Sequence, residues 1–121
     1  PEKSFLKKDN VTEVVVPAFE GEMGILKDHI SIISFLKPGI IKVHSSNEES
    51  SFYVDDGIVE FKDNTLSILT SNIFDIKNSD NAKIQEMIKE AENDLKNEKI
   101  NDQKRFIVSQ KVEVLKSLGL N

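Results

Sequence analysis

The placement of glycine and proline divides this chain in two. Four of its five glycines and two of its three prolines fall between residues 17 and 57, and none falls between residues 78 and 118. Residues that break helices and reverse the chain every few positions leave room only for short strands. A long stretch free of them can hold helices. Punctuation is densest in residues 11–43, VTEVVVPAFEGEMGILKDHISIISFLKPGIIKV. There residues 14–16 are a β-branched run, expected to form a strand stopped by Pro17. Gly21 and Gly24 are expected to bracket a tight turn, and Pro38 and Gly39 to fill the centre of a type II turn. Further on, Gly57 is expected to supply the positive φ of a turn opened by Asp55 and Asp56. Residues 4–6 read as the close of a strand or a turn, residues 7–10 as a polar turn, and residues 45–51 as a polar hairpin loop. Asp63 and Asn64 read as one more turn. Short apolar runs lie between these signals, as in an antiparallel β-sandwich.

From Asn78 the period changes. Ile84, Met87, Ile88, Ala91 and Leu95 recur three or four residues apart and share one helical face. Ser79 or Asp80 can cap the start by accepting an orphan backbone N–H. Residues 97–101 interrupt the pattern. A second helix is expected from about 102 to 118, with Ile107, Val108, Val112, Val114, Leu115 and Leu118 as a broad apolar face and Gly119 at C′. The short link makes the pair an antiparallel hairpin, able to zip its own faces or lie on the sandwich. The expected fold is therefore β plus α: an N-terminal antiparallel β-sandwich over residues 1–77, then a C-terminal antiparallel two-helix hairpin over residues 78–121.

Charge and chemistry narrow the function. Residues 1–77 carry 8 lysines against 13 acids, and residues 78–121 carry 8 basic against 8 acidic side chains. An acidic domain with one arginine, Arg105, is a poor nucleic-acid binder. There is no cysteine, and no apolar run approaches the ~18 residues of a membrane span. Residues 1–3 lack the pattern of a signal peptide. His29 and His44 form no zinc signature, and Asp55, Asp56 and Asp63 read as turn acids rather than metal ligands. No Walker lysine motif, cysteine nucleophile or Ser–His–acid arrangement stands out. The expectation is a protein that is not an enzyme and needs no cofactor. Glu20 and Glu22 flank Gly21 in an exposed turn, as solvated acids or as part of an interface, and Phe19 and Met23 would either be exposed there as a contact surface or pack back on the sandwich. His29 is expected to hold its loop by bonding backbone, or to join that surface.

The order of these features resembles one family, the epsilon subunit of the bacterial F-type ATP synthase. The resemblance rests on Val16-Pro17, Glu20-Gly21-Glu22, Gly24-Ile25-Leu26, His29, Leu36-Lys37-Pro38-Gly39, Gly57 and the terminal helical hairpin. It spans nearly the whole chain. The chain departs from the family in having Ala18 after Pro17 where the family usually has glycine. Lys27 and Ser31 replace two prolines of a loop that should thereby be less rigid. The family begins with one more strand before the segment matching residues 1–3; its absence here is expected to mean either a truncated chain or an N-terminal edge left open.

The resemblance implies a non-catalytic rotor subunit coupling proton flow to ATP synthesis. Its sandwich would dock on the gamma subunit and on the membrane c ring, with Phe19, Glu20, Glu22, Met23 and His29 as candidate interface residues. Its hairpin would fold on the sandwich or extend toward the catalytic alpha and beta subunits, restraining ATP hydrolysis. The protein would lie peripherally on the cytoplasmic face of the bacterial inner membrane, not inserted in it. An ATP motif of some family members is degenerate here: Asp80 is kept, but Lys83 stands for its arginine, a point charge for a planar fork. Weak or no ATP binding follows. The competing reading is a free-standing sandwich adaptor with a helical tail.

Overall fold

The computed structural model describes residues 3–118, so the readings placed on residues 1–2 and on Gly119 lie outside the described residues. Nine strands precede two helices: β1 (Ser4–Lys8), β2 (Val11–Ala18), β3 (Gly21–Leu26), β4 (Ile32–Leu36), β5 (Gly39–Ser45), β6 (Glu48–Val54), β7 (Gly57–Lys62), β8 (Thr65–Thr70), β9 (Ile73–Asp75), α1 (Asn81–Leu95) and α2 (Asp102–Leu118). All strand pairs are antiparallel, in the order β1-β8-β7-β4-β2-β5-β6-β9, with β3 paired to β2 off this path. β4 and β2 meet only at Leu36 and Ala18. The order therefore divides there into two layers, β1-β8-β7-β4 and β3-β2-β5-β6-β9. Alternate residues of both layers turn onto one core, among them Val14, Val16, Leu36, Ile41, Val54, Phe61 and Ile68. This bears out the sandwich-plus-helices fold class.

The reversals use other residues than expected. The β5–β6 and β7–β8 hairpins turn on two residues each, Ser46-Asn47 and Asp63-Asn64, all four with positive φ between 49° and 68°. That is the type I′ geometry favoured by strand twist, reached here with Ser, Asn and Asp in place of glycine. The expected polar loop over residues 45–51 shrinks accordingly, because Glu48 to Ser51 already pair in β6. Lys7 and Lys8 likewise belong to β1.

Gly21, with φ +128°, does turn the chain, as the first residue of β3. Gly24 does not; it sits inside β3 opposite Val15. Gly39 and Gly57 open β5 and β7 without positive φ. They are glycines for room. A Cβ at Gly39 would come within 2.6 Å of the Pro17 ring, and one at Gly57 would run into the Leu69 carbonyl. Pro38 is a bend before β5 rather than half of a type II turn. Pro17 does not stop β2, which runs on to Ala18. Its carbonyl accepts from Lys37 N–H on the side away from β3. The missing N–H therefore faces the gap where β2 has left β5 and not yet met β4, so no ladder bond is lost.

The helices start where caps are available. Asp80 accepts from Ala82 N–H at 2.9 Å, and Asn101 accepts from Lys104 N–H at 2.8 Å. Arg105 reaches back to the Leu95 carbonyl at 3.1 Å, placing a cation on the otherwise orphaned C-terminal end of α1. The α1 stripe is shared between two partners. Ile84, Met87 and Ile88 pack on Tyr53 of β6 together with Leu115 of α2, while Ala91 and Leu95 pack with Val108 and Val112. The hairpin thus zips its own faces and lies on the sandwich at the same time.

Candidate partner-docking surfaces

Strand β2 turns into β3 at Phe19-Glu20, so both residues sit at a hairpin tip, exposed, with Glu22 exposed just behind them. Met23 points the other way and packs half-buried against the sandwich core. The alternation of β3 decides this, since Glu22 and Met23 cannot share a face. His29 is exposed and lies beyond the far end of β3, so the fold does not bring it to the tip. Its Nδ1 meets the carbonyl of its neighbour Ile30 at 2.6 Å. The loop itself is tied elsewhere. Asp28, at φ +67°, donates its N–H to Asn64 Oδ1 at 2.7 Å and accepts from Asn64 Nδ2 at 3.1 Å. This pair of hydrogen bonds ties to the β7–β8 turn a loop that was expected to be less rigid for want of two prolines.

A larger surface escaped the sequence reading. Phe35 is opposite Ile58, Ile58 opposite Leu69, and Leu69 opposite Phe5. These four side chains form one row across the outer face of β4-β7-β8-β1, neighbours about 5 Å apart. They are 69%, 40%, 39% and 63% exposed, and Ile33 beside them is 69% exposed. A readable signal existed. Phe5-Leu6, Phe35-Leu36, Ile58-Val59 and Ile68-Leu69 are adjacent apolar pairs inside strands, and with period two one member of each pair must face outward.

The other layer carries a matching outward row, Ile40, Tyr53 and Phe74, in register across β5, β6 and β9. Tyr53 is fully buried beneath the hairpin and stacks on Phe74 with ring centroids 5.1 Å apart. Its hydroxyl donates to Asp55 Oδ1 at 2.7 Å. Burial pushes the phenol's pKa well above its usual range, and the Asp55 carboxylate beside it adds to this, so it stays a neutral donor. Asp55 is therefore no solvated turn acid. It is buried, accepts from Ser71 Oγ at 3.1 Å and faces Lys111 Nζ of α2 at 3.3 Å. Thr70, also buried, donates to the Asp55 carbonyl at 3.1 Å.

Asp80 and Lys83 border a small cleft of about 150 Å³ with Phe74, Asn78, Ser79 and Ile84. Ligand sites for drug-sized molecules run roughly 300–1,000 Å³, and one Asp80 oxygen is already engaged as the helix cap. Among the described residues no group of three or more His, Cys, Asp or Glu is arranged to hold a metal ion.

The sandwich thus carries its own helical cover on one layer and a bare apolar row on the other. A family model described as ATP synthase, Delta/Epsilon chain, beta-sandwich domain matches residues 1–76. An ATP synthase epsilon chain of Pelagibacter ubique is 66% identical over 119 residues, covering 98% of this chain and 92% of that protein. An ATP synthase epsilon chain of Psychrobacter arcticus is 35% identical over 94 residues, 77% of this chain and 68% of that one. The chain belongs to the epsilon-chain family of ATP synthase, which sets aside the reading as a free-standing adaptor. The fold recurs in a chain of the Euglena gracilis mitochondrial ATP synthase OSCP/F1/c-ring structure, with a TM-score of 0.63 at 22% identity, covering 88% of this chain and 69% of that one. It recurs in the Tetrahymena thermophila mitochondrial ATP synthase central stalk/c-ring structure, with a TM-score of 0.54 at 15% identity, covering 93% and 84%. At these identities the likeness is one of fold.

Proposed function

We propose that this chain is a non-catalytic rotor subunit of an F-type ATP synthase, coupling proton flow to ATP synthesis while gripping the gamma subunit on one side and the c ring on another. The bare row of Phe35, Ile58, Leu69 and Phe5 carries the reading. Four large apolar side chains in line across a flat sheet face make a patch that a partner is needed to cover, and the gamma shaft is that partner. The β2–β3 tip, with Glu20 and Glu22 forward, is the face for the polar loops of the c ring. Rim carboxylates of this kind steer association more than they add affinity. The location follows from the partners: peripheral, at the cytoplasmic face of the bacterial inner membrane. No helix among the described residues is long and apolar enough to cross a membrane.

The hairpin is the regulatory part. Its grip on the sandwich is centred on Tyr53, and the same apolar faces can serve a second partner when the helices extend toward the alpha and beta subunits. A two-state element of this kind shifts with whichever partner binds it better. ATP is not expected to set the balance here. Calorimetry of the isolated chain should show no tight nucleotide binding, and a sub-micromolar heat signal would overturn that part.

Docking is tested with Ile58→Glu and Leu69→Glu in binding to purified gamma. A central hot-spot residue is worth about 2 kcal/mol or more, roughly thirty-fold in Kd. Each variant should lose at least that much while keeping the far-ultraviolet spectrum of the parent. Unchanged affinity in both would remove gamma from this face. Regulation is tested on the assembled enzyme, where deletion of residues 79–121 should raise ATP hydrolysis with assembly intact. Equal hydrolysis would make the hairpin a passive cover.

A further inference from the structure

The geometry points to Asp55 and Lys111 as a latch that holds the helical hairpin in one register on the sandwich and is broken when the hairpin lifts. The inference rests on the hairpin being movable and names the contact that sets its position.

Apart from this pair and a long Asn72 Nδ2–Met87 Sδ hydrogen bond of 3.8 Å, the hairpin sits on the sandwich through Tyr53, Ile84, Met87, Ile88 and Leu115, an apolar contact. Apolar burial has no direction, so it would tolerate a helix sliding or rotating by part of a turn. The Asp55–Lys111 pair does not. Asp55 is the one buried carboxylate among the described residues, and Lys111 Nζ crosses from α2 to its Oδ2 at 3.3 Å. The Lys111 side chain is a quarter exposed and the Asp55 side chain nearly closed off.

The remaining partners of the carboxylate all belong to the sandwich. Tyr53 donates to Oδ1 and Ser71 to Oδ2. When the hairpin leaves, Asp55 keeps both bonds and gains water, and Lys111 is hydrated in turn. The charge is never stranded without a donor, so the contact can be made and broken repeatedly. A cleft of about 370 Å³ opens beside the pair, lined by Asp56, Asp94, Gln103 and Lys104 among others, and gives water a path to it. Such a pair contributes little net stability against its desolvation, but removing one partner is expensive and the geometry it fixes is specific.

The test is a double-mutant cycle on the full chain, read by amide hydrogen exchange. Lys111→Met and Asp55→Asn should each speed exchange in α1 and α2 by roughly ten-fold or more. The double variant should exchange more slowly than the product of the two effects, because once one partner is gone the second change has no pair left to break. Lys111→Arg should stay near the parent. Sheet amides are the internal reference and should not change. The chain has one tyrosine and no tryptophan, so quenching of Tyr53 emission by acrylamide gives a second readout and should rise with helix exchange. Unchanged helix exchange in both single variants overturns the latch, as does strict additivity in the cycle. Equal acceleration of sheet and helices also overturns it, since Asp55 would then be holding the sandwich. None of these outcomes depends on the effect of the hairpin on ATP hydrolysis, which is measured separately in the assembled enzyme.

Discussion

The two layers of the sandwich carry the same device and end in opposite states. Each has a row of outward apolar side chains in cross-strand register: Ile40, Tyr53 and Phe74 on one, Phe35, Ile58, Leu69 and Phe5 on the other. The first lies under a helical hairpin from the same chain and Tyr53 there is fully buried, whereas the second is open. Fully covering a large apolar side chain is worth about 1.5–3 kcal/mol, so both rows favour a cover. What differs is where the cover is encoded. One layer finds it some thirty residues further along its own chain, and the other must take it from a different protein. A contact within the chain can be given up and remade without diffusion, which suits a switch; one made by another chain suits permanent assembly.

The largest loss is expected at the centre of the covered row. Tyr53→Ala removes a ring that touches both the hairpin and Phe74. Large-to-small changes at such sites cost about 3–5 kcal/mol, and the loss should appear in the denaturation midpoint of the isolated chain. A change below about 1 kcal/mol would mean that the hairpin contributes little to folding.

A smaller effect is expected where the bare layer is assembled. Gly57 sits at the start of β7, one residue before Ile58, with no room for a Cβ beneath the Leu69 carbonyl. Gly57→Ala must push β7 from β8, an overpacking of the kind that costs about 1–3 kcal/mol. It should also tilt the row and weaken partner binding. Gly24→Ala is the control, since a Cβ there meets nothing within 4 Å. Its thermal midpoint should match the parent.

These glycines show what could be read from the sequence and what could not. Their number and spacing announced short strands, and that was right. Their individual roles were misassigned at Gly24, Gly39 and Gly57, because the reason for a glycine at the last two is a chain segment packed against it, Pro17 in one case and Leu69 in the other. Local signals survived: the Asp80 cap, the α1 stripe and the bounds of α2 depend on neighbours within a turn or two. Contacts distant in sequence did not. Asp55 looked like a turn acid until Lys111, 56 positions away, was placed over it. The Asp28–Asn64 pair spans 36 positions. The bare row could have been found from its adjacent apolar pairs, but only once the strand register was known.

The smallest effect is the most telling, because it separates a docking face from a structural one. Phe35→Ser at the end of the bare row removes a ring that is mostly in water already and opposes one strand neighbour, Ile58. Losing a single cross-strand pair costs about 0.2–1 kcal/mol, far below the effect at Tyr53. In exchange, the isolated chain should bind less of a hydrophobic dye and be more soluble, since part of its uncovered apolar surface is gone. The comparison requires both results together. If Phe35→Ser destabilised the isolated chain as much as Tyr53→Ala, the bare row would be supporting the sandwich itself. The open layer would then have no vacancy for a partner, and the difference between the two faces would be one of exposure without function.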